Sequence, residues 1–331
     1  MILHSPTDET WRDNLSLLPH AEHRIGGTDA AAILGLSPYR SPWDLWRIAH
    51  GGATPEHIDN ALLARGRIVE PALLGWYAAK IGVDSGSIPA VVACNSDAPW
   101  MVGTLDGYIA DDRRVVEWKT DLHRDDRWPP DGSTVSSPDE IPADYWVQIC
   151  WYMAITSATE ADVVVADRTR GRWDPVIDTA AAVALSTDHS IAEELIRRWY
   201  AVQIASRPVA PTTIRLVHVR PSPDDVAAIV DAVADARERM LVRGEEPPVD
   251  ASAGCRQALV DRSRPSTRLR ATDAQEALLR RALLAREVAR EAAADAALSA
   301  NELLSVLDTR SIITDDGHRA SVDARGRLLL T

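Results

Sequence analysis

The sequence predicts a mixed α/β (α+β) fold, in which strand patterns and helix patterns follow one another along the chain. Short apolar runs typical of buried strands recur, for example ADVVVA at residues 161–166. Segments with apolar residues at helical spacing separate these runs, for example residues 57–80. A long helical pattern and a final hairpin pattern follow residue 272. With 331 residues, the chain is long enough for one large domain with an extension or for two domains.

The composition is that of a soluble globular protein, with 46% apolar and 26% charged residues. The chain lacks an apolar run long enough for a membrane span, and its start, MILHSPTDET, lacks the pattern of a signal peptide. We therefore expect a cytoplasmic protein, in the host cytoplasm if a phage encodes it. Its cysteines are odd in number and far apart, which excludes a disulfide framework or a four-cysteine metal site within one chain. We expect them to be buried small side chains, at Cys94, Cys150 and Cys255.

The net charge of −13 argues against a polyanionic partner, but binding depends on a local basic surface rather than on the total charge. One arginine cluster offers such a surface, with Asp261 as its single acid. Its members are Arg256, Arg262, Arg264, Arg268 and Arg270. The cluster predicts either a strip that contacts DNA phosphates, with Arg262, Arg264 and Arg268 as candidates, or a solvated linker.

The N-terminal region predicts short helices. A polar leader carries one of them near residues 10–18. Thr28 is a candidate N-cap for a helix over residues 29–34, and Gly35 is a candidate for its end. Pro42 marks the start of the next helix, which is predicted to run to residue 49.

Residues 57–80 have a helical pattern that contains Pro71. Since proline fits the first turn of a helix and disrupts its interior, we predict a break here, with Glu70 at a kink or a helix junction. A solvated surface glutamate would show the same pattern.

A hairpin is predicted over residues 101–120, after a strand at residues 88–93. The pair Asp111 and Asp112 suits its turn. Because strand side chains alternate between the faces, Glu117 and Lys119 should share one face, near Asp106 of the preceding strand. Two carboxylates and a lysine can hold a Mg²⁺ ion and position a water molecule. A surface hairpin with an ordinary salt bridge would carry the same residues.

The segment after the hairpin predicts a loop, a helix and two strands. The loop, residues 121–141, is long enough to contact a substrate. The helix begins near Pro142 and places Gln148 and Tyr152 on one face, either beside the site or as packing residues. The remaining predicted segments are strands at residues 161–166 and 213–219 and a helical insertion at about 170–212.

The last third of the chain predicts mainly helices, first over residues 224–243 and then, after the break GEEPPVD, up to about residue 308. Thr272 and Gln275 form a candidate capping box for this long helix. A terminal hairpin is predicted around Asp315, Asp316 and Gly317. The apolar stripe predicted along the long helix consists of Leu284, Val288, Ala292, Leu303 and Leu307.

Five segments occur in the order and approximate spacing of one known family: IGGTDAAAILGLSPY, RGRIVEP, GTLDGY, VVEWKT and QICWY. With them, residues 25–166 resemble the YqaJ-like viral recombinases, which are related to phage lambda exonuclease within the PD-(D/E)XK nuclease superfamily. The resemblance implies a restriction-endonuclease-like mixed central sheet flanked by helices. Residues 1–220 would form the nuclease core, and residues 221–331 a mainly helical extension.

The resemblance also implies roles for individual residues. Asp106 and Glu117 would bind a metal ion together with the main-chain carbonyl of Trp118, and Lys119 would position or activate water. Glu70 would bind a second metal ion or its water. The other implied residues are Gln148 and Tyr152, which would support the site and touch DNA, and Thr28, Arg24 and Thr104, which would bind a terminal 5′ phosphate.

The activity that the resemblance implies is a Mg²⁺-dependent 5′ to 3′ exonuclease that degrades linear double-stranded DNA in phage-type homologous recombination. Hydrolysis would use two metal ions, with Mn²⁺ as a substitute for Mg²⁺. The family also implies a ring of three or four copies and a single-strand annealing partner of the RecT or Red-beta type.

Two alternative functions for the whole chain remain open, and a third, an acidic helical scaffold, would account for the C-terminal half alone. One is another nuclease of the superfamily, either restriction-type or Cas4-like, although the missing cysteine quartet argues against the second. The other is an inactive DNA-binding or assembly protein with the same fold. The presence of Asp106, Glu117 and Lys119 argues against an inactive protein, because such a site would normally lose at least one of them.

Overall fold

The computed structural model divides into two compact units, residues 1–263 and residues 264–331. The first unit extends beyond the predicted core boundary at residue 220. The predicted leader helix and the predicted insertion lie outside the residues that the structure describes. The described residues are 2–4, 23–51, 61–121, 128–167, 214–262, 272–306, 311–313, 319–322 and 328–330.

Both units contain α-helices among the described residues. In chain order they are α1 (Gly27–Ile33), α2 (Pro42–Ala49), α3 (Ala61–Ile81), α4 (Ala143–Thr156), α5 (Pro223–Arg237), α6 (Ala253–Arg262) and α7 (Asp273–Val306).

The strands of the described residues form three sheets. In chain order they are β1 (Ile2–His4), β2 (Val91–Cys94), β3 (Val102–Leu105), β4 (Gly107–Ile109), β5 (Arg114–Asp121), β6 (Thr134–Val135), β7 (Glu160–Asp167), β8 (Ile214–Val219), β9 (Ser311–Ile313), β10 (Arg319–Val322) and β11 (Leu328–Leu330).

The central sheet has five strands in the order β4-β5-β7-β8-β6. Strands β4 and β5 pair antiparallel, as do β7 and β8, whereas β5 pairs with β7 and β6 with β8 in parallel. A smaller antiparallel sheet joins β1, β2 and β3. The predicted mixed central sheet flanked by helices is therefore confirmed. Strand β6 lies within the segment predicted as a loop, because it completes the sheet edge beside β8.

The two faces of the central sheet bury different side chains, because neighbouring residues of a strand point in opposite directions. On one face, Val115 and Val163 join the core around α4. On the other, Val116 and Val164 join a second core that includes Leu73 of α3. The predicted burial of the cysteines is confirmed for Cys94, Cys150 and Cys255.

Helix α1 begins one residue before Thr28, so the prediction that Thr28 is its N-cap is wrong. Gly26 takes the cap position in an extended conformation, without a side-chain cap bond. The preceding Ile25 pairs with Met101 and holds the chain extended up to this point, which leaves Gly27 as the first helical residue. The predicted end is confirmed, since Gly35 has a φ of 73°.

Helix α3 runs through Pro71, so the predicted break is wrong. An interior proline costs a helix about 3 kcal/mol or more. Three residues that follow it, Leu73, Tyr77 and Ala78, are buried against the sheet. Their packing offsets the local penalty, which the pattern of a single helix does not reveal.

The two helices that follow the central sheet also belong to the first unit. Helix α5 starts with a capping box formed by Ser222 and Asp225. Residues 224–243 are not one regular helix, because α5 passes into a π-helical turn at Glu238–Val242. Helix α6, which no sequence pattern predicted, packs on α2 through Trp43 and Cys255.

The second unit contains α7 and a three-stranded antiparallel sheet with β10 in the centre. The predicted capping box is confirmed, because Thr272 and Gln275 exchange backbone-to-side-chain bonds of 2.9 and 3.3 Å. The predicted terminal hairpin is confirmed and gains a third strand. Leu284 and Val288 of the predicted stripe are exposed. No described helix, α7 included, is long and apolar enough to cross a membrane.

Candidate active site

Strand β5 places Glu117 and Lys119 on one face of the sheet, with Lys119 Nζ 2.6 Å from Glu117 Oε1. Asp106 lies between β3 and β4. Because Gly107 pairs with Val116 across the two antiparallel strands, Asp106 comes beside Glu117. Its Oδ2 accepts a hydrogen bond of 3.0 Å from the backbone N–H of Trp118. The structure thus brings the two predicted carboxylates and the predicted lysine together.

Helix α4 covers this group with the two residues that its helical spacing places on one face. Gln148 Nε2 donates to Glu117 Oε1 over 2.9 Å and to Tyr152 Oη over 3.0 Å. Gln148 Oε1 accepts from Lys119 Nζ over 3.0 Å. The amide of Gln148 therefore holds the acid and the amine in a fixed relation, as a buried polar network does when its members are paired.

The carboxylates lie where their charged forms are unfavourable. Burial, followed by the charge of Asp106, raises the pKa of Glu117 to about 8. Burial also raises the pKa of Asp106, although Lys119 and the Trp118 N–H oppose the shift. Burial alone would lower the pKa of Lys119, but Glu117 and Asp106 raise it overall, which favours the charged amine.

One buried oxygen of this group is left over. Glu117 is 3% exposed, and its Oε2 has no hydrogen-bond partner among the described residues. An unpaired buried carboxylate oxygen is costly unless it binds a cation. The pair of acidic carboxylates and this open oxygen therefore fit a hard divalent cation such as Mg²⁺, which prefers oxygen ligands.

The predicted third acid does not join this pair. Within the described part of the chain, no three His, Cys, Asp or Glu side chains gather as metal ligands do. Glu70 is half-buried on α3, the helix that packs on the opposite face of the sheet. Its role as a ligand of a second metal ion stays a prediction.

Two stacked aromatic residues, of which Tyr145 lies beside Lys119, were not predicted from the sequence. Lys119 Nζ lies 4.7 Å from the centre of the Tyr145 ring, and Tyr145 stacks on Trp128 at 5.4 Å. The face of an aromatic ring attracts a cation, so Tyr145 favours a charged Lys119 in this position. The spacing of three residues between Tyr145 and Gln148 is the signal that would have placed both on one side of α4.

The candidate phosphate-binding residues lie on two segments that meet at Tyr152. Thr28 follows Gly27 in α1, and Thr104 follows Gly103 in β3; both threonines are exposed. Glycines 27 and 103 both approach the Tyr152 ring closely. Arg24 is half-buried next to the bridge that ties residue 25 to residue 101. Their binding of a 5′ phosphate stays a prediction.

The arginine cluster is only partly described. Arg256 is exposed on α6, and Arg262 is the last residue of that helix. Arg264, Arg268 and Arg270 lie outside the described residues. A DNA-contacting role for Arg262, Arg264 and Arg268 stays a prediction.

Residues 18–159 match the family model of the YqaJ-like viral recombinase domain. No curated protein matches the sequence. One similar solved structure is a phage-related exonuclease from Haemophilus somnus 129PT, at 12% identity and a TM-score of 0.36, covering 78% of this chain and 92% of that one. Another is the alkaline exonuclease LHK-Exo from Laribacter hongkongensis, at 16% identity and a TM-score of 0.32, covering 57% and 96%. The structure of LHK-Exo in complex with dAMP is also similar, at 16% identity and a TM-score of 0.31. The match covers 56% of this chain and 95% of that one.

Proposed function

Because residues 18–159 match the family model of the YqaJ-like viral recombinase domain, we propose that this chain is a Mg²⁺-dependent exonuclease that degrades linear double-stranded DNA from its 5′ ends in phage-type homologous recombination. The observation that carries the proposal is the group of Asp106, Glu117 and Lys119, in which Oε2 of the buried Glu117 lacks a partner among the described residues. A carboxylate kept open beside a cationic amine suits metal-assisted hydrolysis of a phosphodiester.

Asp106 and Glu117 would hold the metal ion with the main-chain carbonyl of Trp118, and Glu70 would serve a second ion. When bound, Mg²⁺ would offset the charge of the carboxylates, polarise the phosphodiester and make a bound water molecule more acidic. Mn²⁺, which takes similar oxygen ligands, would replace it.

The side chains around the carboxylates would position the reactants. Lys119, held by Glu117 and Gln148 at 2.6 and 3.0 Å, would orient the attacking water and balance negative charge on the phosphate. Gln148 fixes the directions of both groups, and Tyr152 in turn fixes Gln148. With the pKa of Lys119 raised by Glu117 and Asp106 despite its burial, its role here is that of a donor.

An acidic protein can bind DNA through such a site. The net charge of −13 does not decide the contact surface, because metal ions bring positive charge to the acids. Degradation along a duplex needs backbone contacts that ignore base sequence, and Thr28, Arg24 and Thr104 would supply them at the terminal 5′ phosphate. Arg262, Arg264 and Arg268 would add further phosphate contacts.

The proposal includes an assembly and a partner. A ring of three or four copies would keep the basic residues on an inner wall while the outside stays acidic. The single-stranded product would pass to an annealing protein of the RecT or Red-beta type in the cytoplasm.

The test is digestion of linear duplexes with and without a 5′ phosphate, in Mg²⁺ or in EDTA. We expect mononucleotides to be released only with the metal, and faster from the phosphorylated end. Lys119→Ala should remove the activity while its circular dichroism and melting curve stay those of a folded protein. Digestion of closed circles at the same rate, or full activity in Lys119→Ala, would contradict the proposal.

A further inference from the structure

The ring of Tyr152 lies between two glycines from different parts of the chain. A Cβ atom built on Gly27 would lie 2.6 Å from Tyr152 Cζ and 2.7 Å from its Oη. A Cβ atom on Gly103 would lie 2.8 Å from Tyr152 Cδ1 and Cε1. These distances are well inside van der Waals contact, so each position admits only glycine while the ring stays in place.

We infer that Gly27 and Gly103 are positioning residues for the reaction, because they form a slot that sets the place of Tyr152. The inference rests on the proposed function, since it concerns the same carboxylate site. It assigns to the first residue of α1 and to the middle of β3 a role that neither their charge nor their polarity suggests.

A chain of contacts links the slot to the reacting groups. Tyr152 Oη accepts from Gln148 Nε2 over 3.0 Å, and the same nitrogen donates to Glu117 over 2.9 Å. Gln148 Oε1 accepts from Lys119 over 3.0 Å. A displaced ring would therefore pull Gln148 away from the acid and the amine at once.

The Tyr152 ring is buried in the core. The residue is 4% exposed and belongs to the cluster of buried side chains around α4. Protein cores are close-packed, so an added methyl group forces a shift of the ring or of the backbone. The slot also joins two segments, because Gly27 of α1 and Gly103 of β3 both lie against this ring.

At a glycine without such close contacts, substitution by alanine should raise the stability. Alanine normally stabilises a helix or strand relative to glycine, because glycine loses more conformational freedom on folding. Neither Gly27 nor Gly103 has a positive φ, so the backbone gives no reason for glycine at either position. A loss of stability on Gly27→Ala or Gly103→Ala would therefore report the slot.

The chain offers a matched control in the adjacent glycine. A Cβ atom on Gly26 would meet only Asp29 Oδ2 at 3.6 Å, an ordinary contact, and the φ of Gly26 is −86°. Gly26→Ala thus adds the same methyl group one residue away without touching Tyr152.

The experiment first compares melting temperatures without DNA. We expect Gly27→Ala and Gly103→Ala to lower the Tm by roughly 5 °C or more, and Gly26→Ala to stay within about 2 °C of the parent chain. In a Tyr152→Leu background, which removes the ring, Gly27→Ala should cost nothing or raise the Tm. A double-mutant cycle of this kind isolates the contact between the two residues.

The second measurement is the rate of digestion of a 5′-phosphorylated linear duplex in Mg²⁺, well below each Tm. Gly27→Ala and Gly103→Ala should lower kcat by at least about tenfold with KM for DNA unchanged, because a small misplacement of positioning groups can cost up to ~100-fold. They should also need more Mg²⁺ for half-maximal rate. Gly26→Ala should keep the parent kcat.

The outcomes separate this inference from the proposed function. A normal or raised Tm in both glycine variants overturns the slot, and a lowered Tm with unchanged kcat overturns the positioning role. If Gly27→Ala does not fold, Gly103→Ala carries the same comparison. Failure of the parent chain to digest DNA at all, with the Tm cycle as expected, overturns the proposed function and leaves the slot standing.

Discussion

Each face of the central sheet carries a cluster of charged residues around one buried carboxylate. The two carboxylates differ in how many of their oxygens are hydrogen-bonded. On the α3 face, Asp162 of β7 is 1% exposed. It accepts hydrogen bonds from Tyr77 at 2.5 Å and Arg114 at 2.9 Å, and His218 Nδ1 lies 2.7 Å from its other oxygen. Arg114 Nε has no hydrogen-bond partner in the described part of the chain, but the other nitrogens of that cation reach Asp162 and Glu160.

On the α4 face, the buried carboxylate of Glu117 is hydrogen-bonded through only one of its oxygens. One oxygen of Glu117 meets both Lys119 and Gln148, while the other has no partner among the described residues. Asp162 uses both of its oxygens in hydrogen bonds within the fold, whereas the described residues pair only one oxygen of Glu117. The comparison indicates that the Asp162 cluster holds strands and helix together, whereas the Glu117 cluster contains the unpaired oxygen that the proposed cation would bind.

The largest expected effect concerns activity. Glu117→Gln should reduce DNA digestion by at least about 100-fold, because the amide removes the anionic ligand while keeping its shape. Asp162→Asn should keep most of the activity per folded molecule, since it acts on the other face. The measurement is the rate on a linear duplex, corrected for the folded fraction. Equal losses in both variants would break the distinction between the faces.

For stability, the Asp162 cluster should matter more than the Glu117 cluster. Asp162→Ala leaves the partly buried Arg114 without its carboxylate, and loss of one partner of a buried pair costs about 3–5 kcal/mol. Urea unfolding of the metal-free protein would measure this loss. Asp112→Ala is the matched control, because that acid is exposed and lies 3.9 Å from the same guanidinium. A loss in the control as large as that in Asp162→Ala would contradict the assignment.

The pH dependence of the metal-free protein tests the incomplete carboxylate. Burial and Asp106 raise the pKa of Glu117 from its ordinary 4.5 to about 8. The folded chain therefore holds this proton more tightly than the unfolded chain. The stability that it contributes is present below the lower pKa and is lost as the pH rises through the higher one.

Melting curves of the parent chain and of Glu117→Gln in EDTA, from about pH 5 to about pH 9, would show this loss. We expect the Tm of the parent to fall relative to that of the variant across this range. Mg²⁺ should restore the parent at the alkaline end, because cation binding favours the ionised carboxylate. A Tm difference that stays constant with pH in EDTA would show that Glu117 ionises normally.

The smallest expected effect concerns the aromatic wall beside Lys119. Tyr145→Leu removes a cation–π contact of about 0.5–2 kcal/mol, which corresponds to a loss in rate of roughly 2- to 30-fold. Tyr145→Phe keeps the ring and should keep most of the rate. Steady-state digestion rates of both variants give the comparison. A larger loss in Tyr145→Phe than in Tyr145→Leu would assign the role to the hydroxyl instead.

Local patterns determined a large part of this site. The period of two in a strand placed Glu117 and Lys119 on one face, and the pair Asp111 and Asp112 marked the turn that brings Asp106 back. The period of 3.6 in a helix placed Gln148 beside Tyr152. These relations involve residues close in sequence, so they depend on backbone geometry that a short segment already specifies.

Other features depend on contacts between distant segments, and the sequence patterns missed them. Pro71 is accommodated because α3 packs on the sheet, and helix α1 starts at Gly27 because residue 25 pairs with residue 101. Tyr145 lies beside Lys119 only because α4 packs over this part of the sheet.

By itself, the sequence determined the kinds of chemical groups at the site and their local order, because charge, side-chain length and backbone period belong to the chain. The tertiary structure alone decided which face of the sheet each helix covers, which glycines enclose Tyr152 and which oxygen of Glu117 is left unpaired. Burial and pairing are sums over neighbours from separate segments, and those neighbours exist only in the folded chain.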